Sequence, residues 1–135
     1  MTVDVRNDVA VLVAELGDDA ENVVVTDAER MDKYRWDRSG DPDAGVPLAV
    51  VRARTTEDVQ AAVRFAAARG IAVVPRGAGS GLSGGASAID GCLVVSTEQM
   101  TAIEVDPVTR TAVVQPGLLN VHVKAAAAEH GLWYP

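Results

Sequence analysis

The sequence has few of the residues that several common classes of protein require. Cys92 is the only cysteine, which rules out a disulfide within the chain and favours a reducing compartment. No apolar run approaches the ~20 residues of a membrane-spanning helix, and the N-terminus does not have the pattern of a signal peptide. A net charge of -7 argues against nucleic-acid binding, which needs a basic face. These features predict a cytoplasmic protein.

Lysine and aromatic residues are also scarce. The lysine P-loop needs Gly-Lys-Ser/Thr at its end, and Lys33 and Lys124 both lie far from the glycine-rich part of the chain. Aromatic residues make up 4% of the sequence against 48% for all hydrophobic residues, so the core must consist mostly of valine, alanine and leucine. A chain of 135 residues is long enough for one domain with such a core.

Glycine, by contrast, is concentrated in one segment. It reads Val73-Val74-Pro75-Arg76-Gly77-Ala78-Gly79-Ser80-Gly81-Leu82-Ser83-Gly84-Gly85-Ala86, and residues 77–86 are called the glycine loop below. Without β-carbons, the backbone can approach a ligand and turn successive N–H groups toward an anion. A diphosphate is the ligand class that fits, and Arg76 can add a forked, charge-assisted contact.

The letters from Gly79 to Gly84 also match the Rossmann fingerprint, but the surrounding sequence does not. A Rossmann turn opens directly into a helix, whereas the next apolar run here, Leu93-Val94-Val95, follows after only a short gap. The loop is therefore expected to connect strand to strand. A flexible Gly/Ser linker is the alternative, and it would explain the composition but not the flanking buried strands.

Helical and strand patterns alternate along the rest of the chain, as in an α/β domain. Before the glycine loop the expected elements are a helix ending at Gly17, a strand at 23–25, an irregular segment at 31–45 with little core, a strand at 48–51, a helix capped by Thr55 or Thr56 and ended by Gly70, and a strand at 71–75. The last three would form a βαβ unit. After the loop we expect a hairpin at 103–115 and a helix with Asn120 as its N-cap.

The run from Val74 to Ala86 closely resembles the pyrophosphate loop of FAD-linked oxidases of the vanillyl-alcohol oxidase type, especially the glycolate oxidase and D-lactate dehydrogenase branch. Residues 47–59, 100–106, 113–117 and 131–135 are similar to further segments of the same PCMH-type FAD-binding domain, so the resemblance covers about residues 30–135. It implies an α+β fold, with a small parallel βαβ subdomain followed by the start of a mixed or antiparallel β subdomain.

The resemblance also implies how the chain is divided. Residues 1–135 would be the N-terminal part of the FAD-binding domain, with a helix and loop at 1–45, the βαβ unit and pyrophosphate loop at 46–100, and the hairpin and helix at 101–135. The substrate domain of the family would be absent, and we expect the chain alone to be inactive.

FAD is the cofactor that the resemblance implies. Its binding residues would be Arg76, Gly77, Ala78, Gly79, Ser80, Gly81, Leu82, Gly84, Gly85, Ala86, Pro116, Gly117 and Tyr134. Ser80 stands where one branch of the family has the histidine that tethers its flavin, so noncovalent FAD is expected. We predict no catalytic residue in this chain. His122 and His130 have no partners at metal-ligand spacing, so no metal site is predicted either.

The implied activity is oxidation of a 2-hydroxy acid, such as glycolate or D-lactate, by hydride transfer to the flavin. The alternative is a truncated, noncatalytic nucleotide-binding or interaction module, which would need a partner or self-association to cover its exposed sheet edges. Two aromatic sites stay open: Trp36 either reaches a ligand or anchors its own loop, and Trp133-Tyr134 either stacks on the flavin or packs against the last helix.

Overall fold

The computed structural model describes residues 5–17 and 19–135, and for residues 5–8 it describes the backbone alone. The elements, in chain order, are helix α1 (Val5–Leu16), helix α2 (Ala20–Val23), strand β1 (Val24–Val25), helix α3 (Ala28–Asp32), strand β2 (Ala49–Arg52), helix α4 (Thr56–Arg69), strand β3 (Val73–Arg76), strand β4 (Leu93–Ser96), strands β5 (Ile103–Asp106) and β6 (Thr111–Val114), and helix α5 (Asn120–Glu129). No described helix is long and apolar enough to cross a membrane.

Four strands form the main sheet in the order β1-β2-β4-β3. Strands β2 and β3 both run parallel to β4, and β1 is antiparallel to β2. The predicted parallel βαβ unit is confirmed, and β4 lies between the two parallel strands that α4 connects. Pro75 has no N–H to donate, and it lies on β3, an edge strand of this sheet, where proline is tolerated.

Apolar side chains cover both faces of the main sheet. Val51 and Val95 point into a cluster with α1 and α4, while their strand neighbours Val50 and Val94 belong to a second cluster on the opposite face. This alternation follows from the two-residue period of a strand, and it makes the first three residues of both β2 and β4 apolar. Full burial of each valine side chain stabilises the fold by about 1.5–3 kcal/mol.

The second cluster corrects an expectation about residues 31–45. Met31 and Tyr34 are both buried there, and Tyr34 is only 3% exposed. A short helix, α3, leads into the segment, and the Asp27 carboxylate caps this helix by accepting from the N–H of Arg30. The sequence predicts little core in this segment, and the structure corrects that prediction. Met31 and Tyr34 stand among polar residues in the sequence, but both side chains pack in the cluster on this face of the sheet.

Helix α4 begins and ends where the sequence predicts. The Thr55 hydroxyl accepts from the N–H of Asp58, and Gly70 takes the left-handed conformation at φ 64°. Asp58 in turn accepts from the backbone N–H and the side chain of Arg54, both at 2.9 Å. These bonds fix the connection between β2 and α4. They explain why an aspartate that is 7% exposed is tolerated beside the core.

Strands β5 and β6 form a separate antiparallel hairpin that packs on α5. Helix α5 begins at Asn120 with Leu119 at the N-cap, so the predicted cap was one residue too late. The hairpin exposes much apolar surface, including Val113, which is 75% exposed. A two-stranded sheet is marginally stable by itself, and here its contacts with α5 support it.

Candidate functional site

The glycine loop lies at the carboxyl edge of the main sheet. It leaves β3 at Arg76 and returns to the sheet at β4, whose Ser96 is paired with Arg76 in the parallel register. Ligands of open α/β sheets bind at this edge. The predicted strand–loop–strand connection is confirmed, since no helix lies between residues 77 and 92.

The backbone donors of this loop have no acceptor within the protein. Throughout the described chain, none of the N–H groups from Gly77 to Gly85 donates a hydrogen bond to another residue. The first N–H after this run, that of Ala86, donates to the Asp37 carboxylate at 3.3 Å. A run of consecutive free amides is the donor set that a phosphate or diphosphate requires. It includes the predicted site residues Gly77, Ala78, Gly79, Ser80, Gly81, Leu82, Gly84 and Gly85.

The glycines of the loop are required for two different reasons. Gly79 and Gly84 have φ angles of 65° and 79°, which favour glycine over residues with a side chain. Gly77 and Gly85 have no such angle, and a β-carbon built on either would meet no atom within 4 Å. Nothing in the described protein therefore requires glycine at these two positions. Close approach by a ligand would explain both.

Arg76, which the sequence predicts to contact a diphosphate, is bonded to protein carbonyl groups in this structure. Its guanidinium donates to the carbonyl oxygens of Trp36 at 2.9 Å, Lys33 at 3.2 Å and Ala86 at 3.2 Å. It also lies directly beside Gly79, where an added β-carbon would be 2.1 Å from its Nη2. In this structure the side chain joins the start of the loop to its end and to residues 33–36.

Residues 33–45, called the strap below, lie against both ends of the glycine loop. The Asp37 carboxylate accepts from the N–H of Ser39 at 2.9 Å, from the Ser87 hydroxyl at 3.2 Å and from the N–H of Ala86. Hydrogen bonding from Ser39, with smaller contributions from Ala86 and Ser87, lowers the pKa of Asp37 to about 2. Asp37 is therefore a negatively charged anchor for the far end of the loop.

Further bonds attach the strap to the segment that follows the loop. The N–H of Ala88 donates to the Arg35 carbonyl, and the N–H of Gly45 donates to the Ala88 carbonyl. The Arg35 guanidinium donates to the carbonyls of Ala44 and Gly45, both at 3.0 Å, and lies 4.4 Å from the centre of the Trp36 ring. These contacts favour the anchoring role for Trp36 over ligand contact.

A cleft of about 280 Å³ begins beside the loop. Its lining residues are Gly77, Ala78, Glu98, Thr101, Gly117, Leu119 and His122. The structure thus brings the predicted residue Gly117 to the same cleft as the first two residues of the loop. The fold itself also requires glycine at position 117, because a β-carbon there would be 2.0 Å from the Thr97 carbonyl oxygen.

Glu98 is a charged side chain of this cleft that belongs to no recognisable sequence motif. One of its oxygens, Oε1, accepts from the Tyr34 hydroxyl at 2.6 Å and from Arg52 Nε at 2.5 Å. Burial alone would raise the pKa of Glu98, but the hydrogen bonds from Tyr34 and Arg52 hold it below its usual value. Asp37 and Glu98 lack a spacing motif, and only the fold brings them to the loop and the cleft.

The predicted residues Pro116 and Tyr134 lie elsewhere. Both line a larger groove of about 500 Å³ between the hairpin and α5, together with Trp133. The Trp133 side chain is 85% exposed. The described structure therefore groups the glycine loop with Gly117, and it places Pro116 and Tyr134 in the neighbouring groove.

Two other side-chain types bear on chemistry. Among the residues that the structure describes, no three His, Cys, Asp or Glu side chains are grouped so that they could hold a metal ion.

Cys92 is fully buried immediately before β4, and burial raises the pKa of its thiol. A buried thiol with a raised pKa is a poor nucleophile, in agreement with the predicted core role.

Comparison with known proteins identifies the family of this chain. A family model described as an FAD binding domain matches residues 47–135. The D-2-hydroxyglutarate dehydrogenase of Stutzerimonas stutzeri is 40% identical over 115 residues, covering 83% of this chain and 24% of that protein. The D-lactate dehydrogenase of Archaeoglobus fulgidus is 39% identical over 107 residues, covering 77% and 24%.

The glycolate oxidase subunit GlcD of Escherichia coli is 40% identical over 89 residues, covering 65% of this chain and 18% of that protein. The chain thus spans about a quarter or less of the length of these relatives. Among solved structures, 4-ethylphenol oxidase from Gulosibacter chungangensis matches with a TM-score of 0.74 at 25% identity, covering 93% of this chain and 25% of that one. For p-cresol methylhydroxylase the TM-score is 0.75 at 21% identity, covering 94% and 26%. These matches confirm the predicted α+β fold of the PCMH type.

Proposed function

This chain belongs to the FAD binding domain family whose model matches residues 47–135, and on that premise we propose that its glycine loop holds the diphosphate of FAD in an oxidoreductase acting on a 2-hydroxy acid. FAD is the cofactor of the family. The loop, the cleft beside it and the adjoining part of the domain would form one side of the FAD site. Residues 46–100 and 101–135 would be the two subdomains that meet at this cleft.

The run of free amides from Gly77 to Gly85 carries the proposal. A diphosphate bridge offers several acceptor oxygens and two negative charges, and backbone donors can bind it without opposite side-chain charge. The chain has a net charge of -7, so local dipoles have to supply the attraction. The open space at Gly77 and Gly85 lets the ligand come close to the backbone.

The three relatives are named for D-2-hydroxyglutarate, D-lactate and glycolate, which are all 2-hydroxy acids. When bound, FAD supplies the two-electron chemistry that takes a hydride equivalent from the carbon bearing the hydroxyl. The part of the chain described here would bind and orient the cofactor. Ser80 offers no nucleophilic nitrogen for a tether, which supports noncovalent binding at this loop. The residues that choose the substrate would lie outside residues 1–135.

Gly77→Ala and Gly85→Ala test the diphosphate site. Each adds one methyl group where the protein has open space, so the melting temperature of the FAD-free protein should stay at the wild-type value. FAD affinity, measured by fluorescence titration of the complete protein, should fall by about tenfold or more because the methyl group takes the space of the ligand. Ala68→Ser, on the exposed part of α4, is the control that adds one atom away from the loop.

Wild-type affinity in both glycine variants would contradict diphosphate binding at this loop. The alternative, a noncatalytic interaction module, makes a different prediction. The wild-type protein would then bind no FAD, show no flavin absorption bands, and associate through the apolar groove and the hairpin. Sedimentation velocity with detection at flavin wavelengths distinguishes these outcomes in one experiment.

A further inference from the structure

We propose that Arg76 and Asp37 act as a reciprocal pair of positioning residues, which hold the two ends of the glycine loop so that its free amides face the diphosphate. This inference rests on the proposed FAD site and deepens it. Arg76 starts at the loop and bonds to the strap, while Asp37 starts at the strap and bonds to the end of the loop. Neither residue needs to contact the ligand for this role.

The geometry of Arg76 favours positioning over phosphate contact. Its N–H groups donate to three carbonyl oxygens from two separate segments, at residues 33, 36 and 86. Its planar, forked head can reach several acceptors in fixed directions, which an ammonium on a flexible stem cannot reproduce. Gly79 lies against the same guanidinium, so the loop backbone is shaped around this side chain.

Asp37 completes the arrangement from the opposite direction. Its Oδ2 accepts the N–H of Ala86, and its Oδ1 accepts the Ser87 hydroxyl and the N–H of Ser39. The side chain is 6% exposed, and Oδ2 would lie 3.4 Å from a β-carbon built at Gly81. These three donors satisfy both oxygens of the buried carboxylate, which offsets the cost of burying its charge.

The bonds of the pair also explain where the run of free amides stops. Gly85 is followed by Ala86, whose N–H and carbonyl are both taken, the first by Asp37 and the second by Arg76. The predicted site residue Ala86 thus marks the fixed end of the loop. The amides before it are left for a ligand because the pair bonds to both ends of the loop, and the one bond within this region, from the N–H of Ser87 to the Gly84 carbonyl, uses a loop acceptor and no loop N–H.

Arg76→Lys distinguishes positioning of the loop by directed hydrogen bonds from direct contact between a positive charge and the diphosphate. If Arg76 positions the loop, lysine cannot replace three directed bonds, and both Arg76→Lys and Arg76→Ala should weaken FAD binding by a similar factor of about tenfold. ADP, used as a second diphosphate probe, should lose affinity by the same factor. Raising the salt concentration should weaken FAD binding equally in the wild type and in Arg76→Ala. Arg64→Ala, on the exposed part of α4, controls for loss of a positive charge.

Hydrogen exchange on the FAD-free protein tests the pair without relying on FAD binding. Asp37→Asn keeps the size of the side chain but replaces one acceptor oxygen by a donor, so exchange at the Ala86 amide should accelerate by about tenfold. The core amides of β4 should exchange at the wild-type rate. This measurement, together with the melting temperature, distinguishes loss of loop position from loss of the fold.

Two results would overturn the proposal. One is wild-type FAD affinity in Arg76→Lys with a loss confined to Arg76→Ala, since a lysine that suffices indicates direct charge contact with the diphosphate. The other is unchanged exchange at Ala86 in Asp37→Asn. Absence of FAD binding in the wild type would contradict the proposed function instead, and the exchange experiment would still decide whether the pair holds the loop.

Discussion

The Tyr34 hydroxyl donates a 2.6 Å hydrogen bond to the Glu98 carboxylate, which lies 64 positions later in the chain. Tyr34 belongs to the strap, and Glu98 belongs to the turn after β4 and lines the cleft. Burial, and secondly the bond to Glu98, raises the pKa of Tyr34 to about 12. The bond therefore persists at neutral and mildly alkaline pH, and it connects the strap to the side of the cleft.

Removing that bond should lower stability. Tyr34→Phe keeps the buried ring and leaves Glu98 paired with Arg52, so the free energy of unfolding should fall by about 1.5 kcal/mol, the typical contribution of a hydrogen bond to a charged group. Urea denaturation measures this change. Tyr134→Phe is the matched control: its side chain is 40% exposed, and it should unfold at the wild-type urea concentration.

The stability that the charged Asp37 side chain contributes should depend on pH. Its pKa in the folded chain is about 2 against an ordinary value of 3.8, so the charged form is favoured by folding. The stabilisation is then fully present above about pH 4 and is lost as the pH falls through about 2. An NMR titration of the Asp37 carboxyl carbon should have its midpoint near the lower value. Ser39→Ala should move that midpoint upward, and a wild-type midpoint at the ordinary value would contradict the anchor.

Gly117→Ala should disrupt the junction between the two sheets. The added β-carbon would lie 2.0 Å from the Thr97 carbonyl oxygen and 2.8 Å from that of Met100, and backbone atoms cannot rotate away as side chains do. We expect a loss of about 3 kcal/mol in the free energy of unfolding, at the upper end of overpacking effects. Gly85→Ala, where the space is open, controls for the glycine-to-alanine change itself. Equal stability of the two variants would refute this account of Gly117.

Gly79 and Arg76 should be energetically coupled. Gly79→Ala places a side chain at a φ of 65° and also brings its β-carbon into collision with the Arg76 guanidinium. Gly84→Ala places a side chain at a similar φ of 79°, but the nearest atom to its β-carbon is 3.8 Å away. Gly79→Ala should therefore destabilise the protein more than Gly84→Ala does. In an Arg76→Ala background this excess should disappear, giving a coupling energy of about 1 kcal/mol in a double-mutant cycle measured by urea denaturation. Additive effects would show that the side chain does not constrain the loop.

The local features of this fold could be read from the sequence because local rules control them. Thr55 and Gly70 begin and end α4 as capping preferences predict, and the short gap between Gly85 and Leu93 is enough to exclude a Rossmann helix. The position of β4 could not be read in this way. Strand order depends on contacts between distant residues, and a pattern of apolar letters contains no information about which strand becomes central.

The same limit applies to the site. The glycine loop can be recognised from its composition, because glycine is concentrated in one short segment. The bonds of Arg76 cannot be read in this way: a positive charge beside such a loop predicts ionic contact with a phosphate, and the structure directs its N–H groups to the carbonyls of Lys33, Trp36 and Ala86. No local pattern indicates a role for Asp37, since its partners Ala86 and Ser87 lie about fifty positions away.

The central position of β4 has a consequence for the order in which the chain folds. During synthesis β3 emerges before the glycine loop, and it finds its sheet neighbour only when β4 has followed the loop out of the ribosome. Closing the loop and completing the sheet are therefore one event, whose rate depends on the entropy of bringing residues 76 and 93 together. A substitution that stiffens or loosens the loop should change how fast the protein folds, even where the finished structure is unaltered.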